Sequence, residues 1–263
     1  CRKVGQKGWI GLNWPKEYGG AGRSSMERYV ILEEMLTAGA PVGAHWISDR
    51  QSGPLIIRYG SEKHQKELLP GILKGESYFC IGMSEPDSGS DLAALRTKAE
   101  KKGNIYLVNG TKLWTSGAHR CQYMIALFKT SQEEDRHGGF SQFIVDLSLP
   151  GVTIRPIIDL AGRHHFNEVI FEDVEVPEDM LIGTEGNGWN QVTAELALER
   201  SGPERYLSSY ILLQELVNEF SNKNDDEGVI EIGRQMSHLT TLRQMSVSVA
   251  GMLDQGENPA LEA

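Results

Sequence analysis

Ser84, Ser88 and Ser90 lie within one short run, Gly82-Met83-Ser84-Glu85-Pro86-Asp87-Ser88-Gly89-Ser90-Asp91-Leu92-Ala93-Ala94, whose residue types suit ligand binding. The run starts where the apolar stretch from Tyr78 to Met83 reads as a strand, and it ends in small residues that strip bulk from the backbone. A strand-to-loop passage of this kind lets main-chain N–H groups and serine hydroxyls converge on one ligand, a phosphate or the polar edge of a heterocycle. By composition alone a Gly/Ser/Asp loop is also simply a turn.

Glu199 is the second residue that could do chemistry. Trp189, Val192, Leu196 and Glu199 recur at steps of three and four, so one helix face carries all four. The stripe is otherwise apolar, which turns Glu199 toward a core or cleft. A carboxylate there tends to have a raised pKa, as a proton-abstracting base requires. Pro203 lacks the N–H that would have bonded the Glu199 carbonyl, loosening the helix at that point. A structural pair with Arg205 or a neighbouring helix accounts for a buried Glu199 equally well. Other patterns fall short. His164 and His165 are adjacent and cannot form a simple ligand set, so no metal site is expected. Gly183, Gly186 and Gly188 lack the strand-turn-helix setting of a dinucleotide fingerprint. No Ser/His/Asp order stands out for a nucleophile.

The elements that must hold these residues change character along the chain. Ser24 and Glu27 form a capping-box pattern ahead of a helix through Leu36. A second helical stretch passes Trp46 to Arg58, and Ser61 opens a third that reaches Leu69 before Pro70. From about Tyr78 to Pro177 the apolar period falls to two. Ile105 to Val108 and Lys112 to Thr115 flank Asn109-Gly110, which reads as a hairpin turn. Tyr123 to Phe128, Gln142 to Asp146, Val152 to Ile157 and Glu168 to Phe171 complete an antiparallel β region. From Trp189 the helical period returns through Val247. The expected class is α+β, with a helical part over 1–77, a β-barrel or sandwich-like part over 78–183 and a second helical part over 184–263. No βαβ alternation supports a Rossmann fold.

A chain of 263 residues is long enough for one large domain or two smaller ones, and 40% hydrophobic with 24% charged residues suits a globular protein. A net charge of −10 argues against nucleic acid or an anionic membrane as partner. No apolar run reaches the length of a membrane span, and no signal-peptide pattern opens the sequence. Cys1, Cys80 and Cys121 show no paired spacing, which points to a reducing compartment.

The chain resembles the acyl-CoA dehydrogenases over nearly its whole length. The resemblance rests on Gly8-Trp9-Ile10 through Trp14-Pro15-Lys16-Glu17-Tyr18-Gly19-Gly20, on Glu33-Glu34, on Gly60 to Pro70 with Gly75-Glu76, and on the 82–94 run. It continues through Asn109-Gly110-Thr111-Lys112-Leu113-Trp114, Phe171-Glu172-Asp173-Val174-Glu175-Val176-Pro177 and Gly186-Asn187-Gly188-Trp189. It implies an N-terminal helical domain, a middle β domain and a C-terminal helical bundle, the last only partial here. The chain opens near the family's second helical segment and stops at Ala263, so it is expected to be truncated at both ends. The Arg-x-x-Phe-Gly run of many members is missing between Asn222 and Gly233.

The same resemblance implies FAD as cofactor. Met83 and Ser84 would meet the flavin edge, Gly89 and Ser90 the pyrophosphate, and Trp114 and Ser116 would flank the isoalloxazine near N5. Ser90 and Arg200 would approach the acyl-CoA substrate. Glu199, within Leu198-Glu199-Arg200, matches the catalytic glutamate of the isovaleryl and long-chain members, although many other members carry their base in the part missing here. The implied reaction removes the α proton of an acyl-CoA thioester while the β hydride passes to flavin N5, yielding the trans-2-enoyl-CoA. Implied partners are an electron-transferring flavoprotein and further copies of the chain in a dimer or tetramer. The place would be the cytoplasm of a bacterium or the mitochondrial matrix of a eukaryote, in fatty acid and lipid metabolism. An acyl-CoA oxidase, a related flavin monooxygenase and a non-catalytic member are the alternatives on this fold.

Overall fold

The computed structural model describes residues 1–199, 202–221 and 226–257, with backbone alone at 44 and 196–199. In chain order the first helices are α1 (Arg2–Gln6), α2 (Ser25–Thr37), α3 (Gly43–Ile47), α4 (Gly53–Tyr59) and α5 (Glu62–Leu73). Seven strands follow: β1 (Phe79–Gly82), β2 (Lys98–Lys102), β3 (Ile105–Ser116), β4 (Tyr123–Lys129), β5 (Phe140–Asp146), β6 (Val152–Ile158) and β7 (His164–Pro177). The chain then returns to helix in α6 (Gly188–Glu199), α7 (Glu204–Leu207), α8 (Tyr210–Phe220) and α9 (Asp226–Asp254). Helix, sheet, helix is the expected α+β order. Two compact units result, one of Cys1–Ile10 with His45–Glu195, the other of Gly11–Ala44 with Leu196–Ala263.

The first unit holds the sheet. Its strand order is β1-β4-β2-β3-β7-β6, with β5 added beside β4. Pairings of β2 with β3, β3 with β7, β6 with β7 and β4 with β5 are antiparallel, as expected. The expectation of a wholly antiparallel sheet needs correction, because β1 and the start of β2 run parallel to β4. A parallel neighbour requires a crossover, and β1 and β4 are indeed far apart in sequence. Met124 to Phe128 on β4 and Phe140 to Val145 on β5 are buried at every position, so both faces of these strands are covered. Tyr106, Val108, Phe128, Phe143, Val169, Phe171 and Val174 form the centre of this core.

Asn109-Gly110 is not a hairpin turn. Strand β3 runs straight through it, and the turn lies instead at Gly103-Asn104, where Lys102 pairs with Ile105. The ladder to β7 slips between Val108 and Gly110, a β-bulge. Gly110 adopts φ +145°, and a Cβ there would stand 2.5 Å from Thr97 Oγ1, so glycine is needed for close backbone approach. Asn109 holds the bulge by donating to Asp173 Oδ1 at 3.0 Å and accepting from the Asp173 N–H at 2.9 Å.

Two helical expectations are refined. Between α3 and α4 a π-helical turn spans Ser48–Ser52, so the helical stretch is continuous but locally widened. Helix α5 is capped by Ser61, as expected, yet continues past Pro70 to Leu73. The Pro70 carbonyl still accepts from Lys74 N–H at 3.1 Å, and burial of Leu69 and Ile72 on one face holds the last turn.

In the second unit, α2 carries the expected capping box, with Ser24 and Glu27 exchanging hydrogen bonds at 2.9 and 3.0 Å. Its buried face presents Tyr29, Leu32 and Leu36. Arg243 of α9 grips both Glu33 oxygens at 2.6 and 2.9 Å, and the Tyr29 hydroxyl donates to Glu33 at 3.2 Å. Asp254 accepts the Met26 N–H at 3.1 Å and so serves the N-terminal end of α2.

Candidate functional site

Strand β1 delivers the chain to the Met83-Ser84-Glu85 passage, and strand β3 fixes it there. Lys112 of β3 donates from Nζ to the Met83 carbonyl at 3.0 Å and to Glu85 Oε1 at 2.8 Å. The next residue, Leu113, donates its N–H to the Ser84 carbonyl at 2.8 Å. Glu85 in turn accepts the N–H groups of Arg96 and Thr97, the latter at 3.0 Å, both from the far end of the loop. The loop is therefore tied to β3 and closed on itself through one carboxylate.

Lys112 is 0% exposed and Glu85 7%. Burial pushes the Lys112 ammonium down to about 8, against the pull of Glu85. For Glu85, burial acts upward, but Lys112 and the hydrogen bonds from Thr97 and Arg96 outweigh it and hold the carboxyl below its ordinary value. Lys112 Nζ also sits 5.6 Å from the centre of the Phe128 ring.

A second irregularity in β3 falls between Lys112 and Thr115. It places Trp114 at φ +60°, left-handed backbone that a bulky residue rarely adopts. The indole is 56% exposed and meets Phe166 edge to face at 5.9 Å. Thr115 is buried, and Ser116 comes back to the Trp114 side, half-buried. Behind them Asn167 is fully buried and donates from Nδ2 to the Thr115 carbonyl at 2.9 Å. His119 and His164 stack at 3.8 Å and both donate to Asn167 Oδ1, at 3.1 and 2.7 Å. Burial first, and the neighbouring His164 ring second, lower the His119 pKa.

The structure thus ties Met83 and Ser84 to Lys112 and Leu113, directly ahead of Trp114 in β3. Gly89 and Ser90 follow on the exposed side of the turn closed by the Glu85–Ser88 bridge, with open space where a Gly89 Cβ would stand. Ser88 Oγ donates to the Asp91 carbonyl at 2.8 Å, and Arg136 pairs with Asp91. An exposed indole held in strained backbone, next to a pinned loop with a half-buried hydroxyl, fits a flat heterocycle with a polar edge. The open glycine-serine turn fits its phosphate end. Glu199 is the last residue of α6; its side chain, and Arg200 altogether, lie outside the described residues.

Sequence reading gave Glu85, Lys112 and Asn167 no role. For Lys112 a signal existed: it shares strand parity with the buried Tyr106 and Val108, which makes it a lysine at an inward position. Nothing local marked Glu85 or Asn167. Among the described residues no cluster of three or more His, Cys, Asp or Glu could hold a metal, and no helix is long and apolar enough to cross a membrane.

Two family models match the chain in succession. The model of the acyl-CoA dehydrogenase N-terminal domain matches residues 1–76, and that of the acyl-CoA dehydrogenase middle domain matches residues 80–174. Acyl-CoA dehydrogenase FadE29 of Mycobacterium tuberculosis is 42% identical over 212 residues, 80% of this chain and 54% of the relative. Acyl-CoA dehydrogenase FadE26 of the same organism is 33% identical over 274 residues, 98% of this chain and 68% of the relative. Among solved structures, one described as the Tcur3481-Tcur3483 steroid ACAD matches at a TM-score of 0.90 and 31% identity, over 97% of this chain and 67% of that one. The chain spans about half the length of several curated relatives it matches. With both domain models in register along the chain and the fold shared throughout, the chain belongs to the acyl-CoA dehydrogenase family.

Proposed function

We propose that this chain binds FAD on its β unit and takes part in the α,β-dehydrogenation of an acyl-CoA thioester to the trans-2-enoyl-CoA. The observation that carries the reading is the exposed, strained Trp114 beside the pinned Met83-Ser84 passage. Met83 and Ser84 would hold the flavin edge, Trp114 and Ser116 its ring, and Gly89 and Ser90 its pyrophosphate. When bound, the flavin supplies the hydride acceptor. Glu199 would take the α proton, and Arg200 and Ser90 would meet the acyl-CoA. Polarisation of the thioester carbonyl by hydrogen-bond donors makes that proton removable. The parts at 1–77, 78–183 and 184–263 would then serve as helical frame, cofactor seat and carrier of the base.

An electron-transferring flavoprotein is the electron acceptor we favour, and assembly with further subunits fits relatives described as complexes, such as ChsE4-ChsE5 of Mycobacterium tuberculosis. Because one close structure is described as a steroid ACAD, a bulky ring-bearing acyl-CoA belongs in the first substrate panel beside straight and branched esters.

An anaerobic absorbance titration of the FAD-reconstituted protein with that panel tests the reading. Bleaching of the flavin band by one ester class supports it and names the substrate. Bound flavin that no ester bleaches refutes catalysis by this chain. Rapid oxygen consumption by the ester-reduced protein would make it an oxidase. Glu199→Gln should leave FAD bound and abolish bleaching; full bleaching in that variant would remove Glu199 as the base.

A further inference from the structure

Lys112 and Glu85 are ionisable residues buried inside the β unit. Beyond their own pairing, their hydrogen bonds go to backbone that borders the proposed cofactor seat. Lys112 holds the Met83 carbonyl, Leu113 beside it holds the Ser84 carbonyl, and Glu85 gathers the N–H groups of Arg96 and Thr97. Thr97 in turn packs against Gly110, where even one methyl group would not fit, so the loop's far end is clamped to β3 where its ladder to β7 slips. Two residues after Lys112 comes Trp114 in its left-handed conformation.

We propose that Lys112 and Glu85 are positioning residues for the flavin: their buried pair locks the Met83-Ser84 passage to the Trp114 bulge as a seat formed before the cofactor arrives. This rests on the flavin reading above and deepens it. Preorganisation of this kind lowers the ordering cost that binding would otherwise bear. A pair that only stabilised the fold would have no reason to donate to the Met83 carbonyl beside the ring site. Burial of an ion pair is weak evidence for stability in itself, because an apolar or neutral pair often serves as well.

The test uses the full chain, with FAD as the probe, and compares the parent with Lys112→Met and with the neutral double variant Lys112→Met/Glu85→Gln. The double variant leaves no buried charge alone and should fold. It should bind FAD about tenfold or more weakly, and the bound flavin's absorbance bands should lose their resolved fine structure. Parent-like affinity and spectrum in the folded double variant would overturn the proposal. A parent protein that binds no FAD would instead overturn the flavin reading itself, and the two failures are thus told apart. Hydrogen exchange on the cofactor-free parent gives a measurement that needs no variant. The Arg96, Thr97 and Leu113 amides should be as protected as the core of β3, and rapid exchange there would show that no seat exists before binding.

Discussion

Removing the Lys112 ammonium while leaving Glu85 in place should be among the most damaging single changes in the β unit. At 2.8 Å and an effective dielectric of about 20, the gross attraction within the pair is about 6 kcal/mol. Lys112→Met forfeits it, strands the Glu85 carboxylate in the core and leaves the Met83 carbonyl without its donor. Against that, the cost of burying the lysine charge disappears, and Glu85 keeps the N–H groups of Arg96 and Thr97. The net loss expected for breaking a buried pair from one side is about 3–5 kcal/mol. Adding Glu85→Gln removes the orphaned charge but keeps an acceptor for only one of the two N–H groups, which bind different Glu85 oxygens, so the double variant should lie within about 1–3 kcal/mol of the parent. Urea unfolding followed by circular dichroism and by fluorescence would read both values and the coupling between them. A single variant that loses less than about 1 kcal/mol, or a double variant whose loss is the sum of the two singles, would refute the reasoning.

Acid should reveal the same carboxylate. The folded pKa of Glu85 lies below its ordinary 4.5, so its contribution is complete above that value and is lost as pH falls through the lower folded one; Glu85→Gln should flatten the acid limb of a Tm-against-pH profile. Gly110→Ala should cost about 3 kcal/mol in thermal unfolding, since the new methyl group would sit 2.7 Å from Thr97 Cα in backbone of positive φ. Trp114→Gly relieves left-handed strain but gives up the edge-to-face contact with Phe166, so its stability should stay within about 1 kcal/mol of the parent. The same variant should bind FAD measurably more weakly in a fluorescence titration, and unchanged affinity would remove the indole from the seat.

Local chemistry was the part of this fold that could be read from the chain. Ser24 with Glu27 and Ser61 with its following turn announce helix starts because a cap is satisfied by residues three positions away. Asn109-Gly110 misled for the opposite reason. The dipeptide has hairpin chemistry, but its partners are Asp173 and Thr97, which no local window contains, and they turn a turn signal into a bulge. The parallel pairing of β1 with β4 was hidden in the same way, since strand direction is set by a crossover and not by alternation. At the site, the serines, glycines and Trp114 were visible as motif residues. The ties that hold them, Lys112 to Met83 and Asn167 to Thr115, join segments distant in sequence and emerge only with the sheet assembled.

The arrangement also separates two questions that activity assays would merge. Met83, Ser84, Gly89, Ser90, Trp114 and Ser116 all belong to the unit that contains the sheet, whereas Glu199 belongs to the other unit. Every contact that shapes the proposed seat, from Lys112–Glu85 to His119–Asn167, is likewise internal to the sheet unit. Flavin affinity should therefore respond to Lys112, Glu85 and Trp114 and be indifferent to Glu199→Gln, while ester-driven bleaching should respond to both sets. A Glu199→Gln protein that lost FAD along with its activity would contradict this division, and the base and the cofactor seat would then have to be treated as one coupled structure.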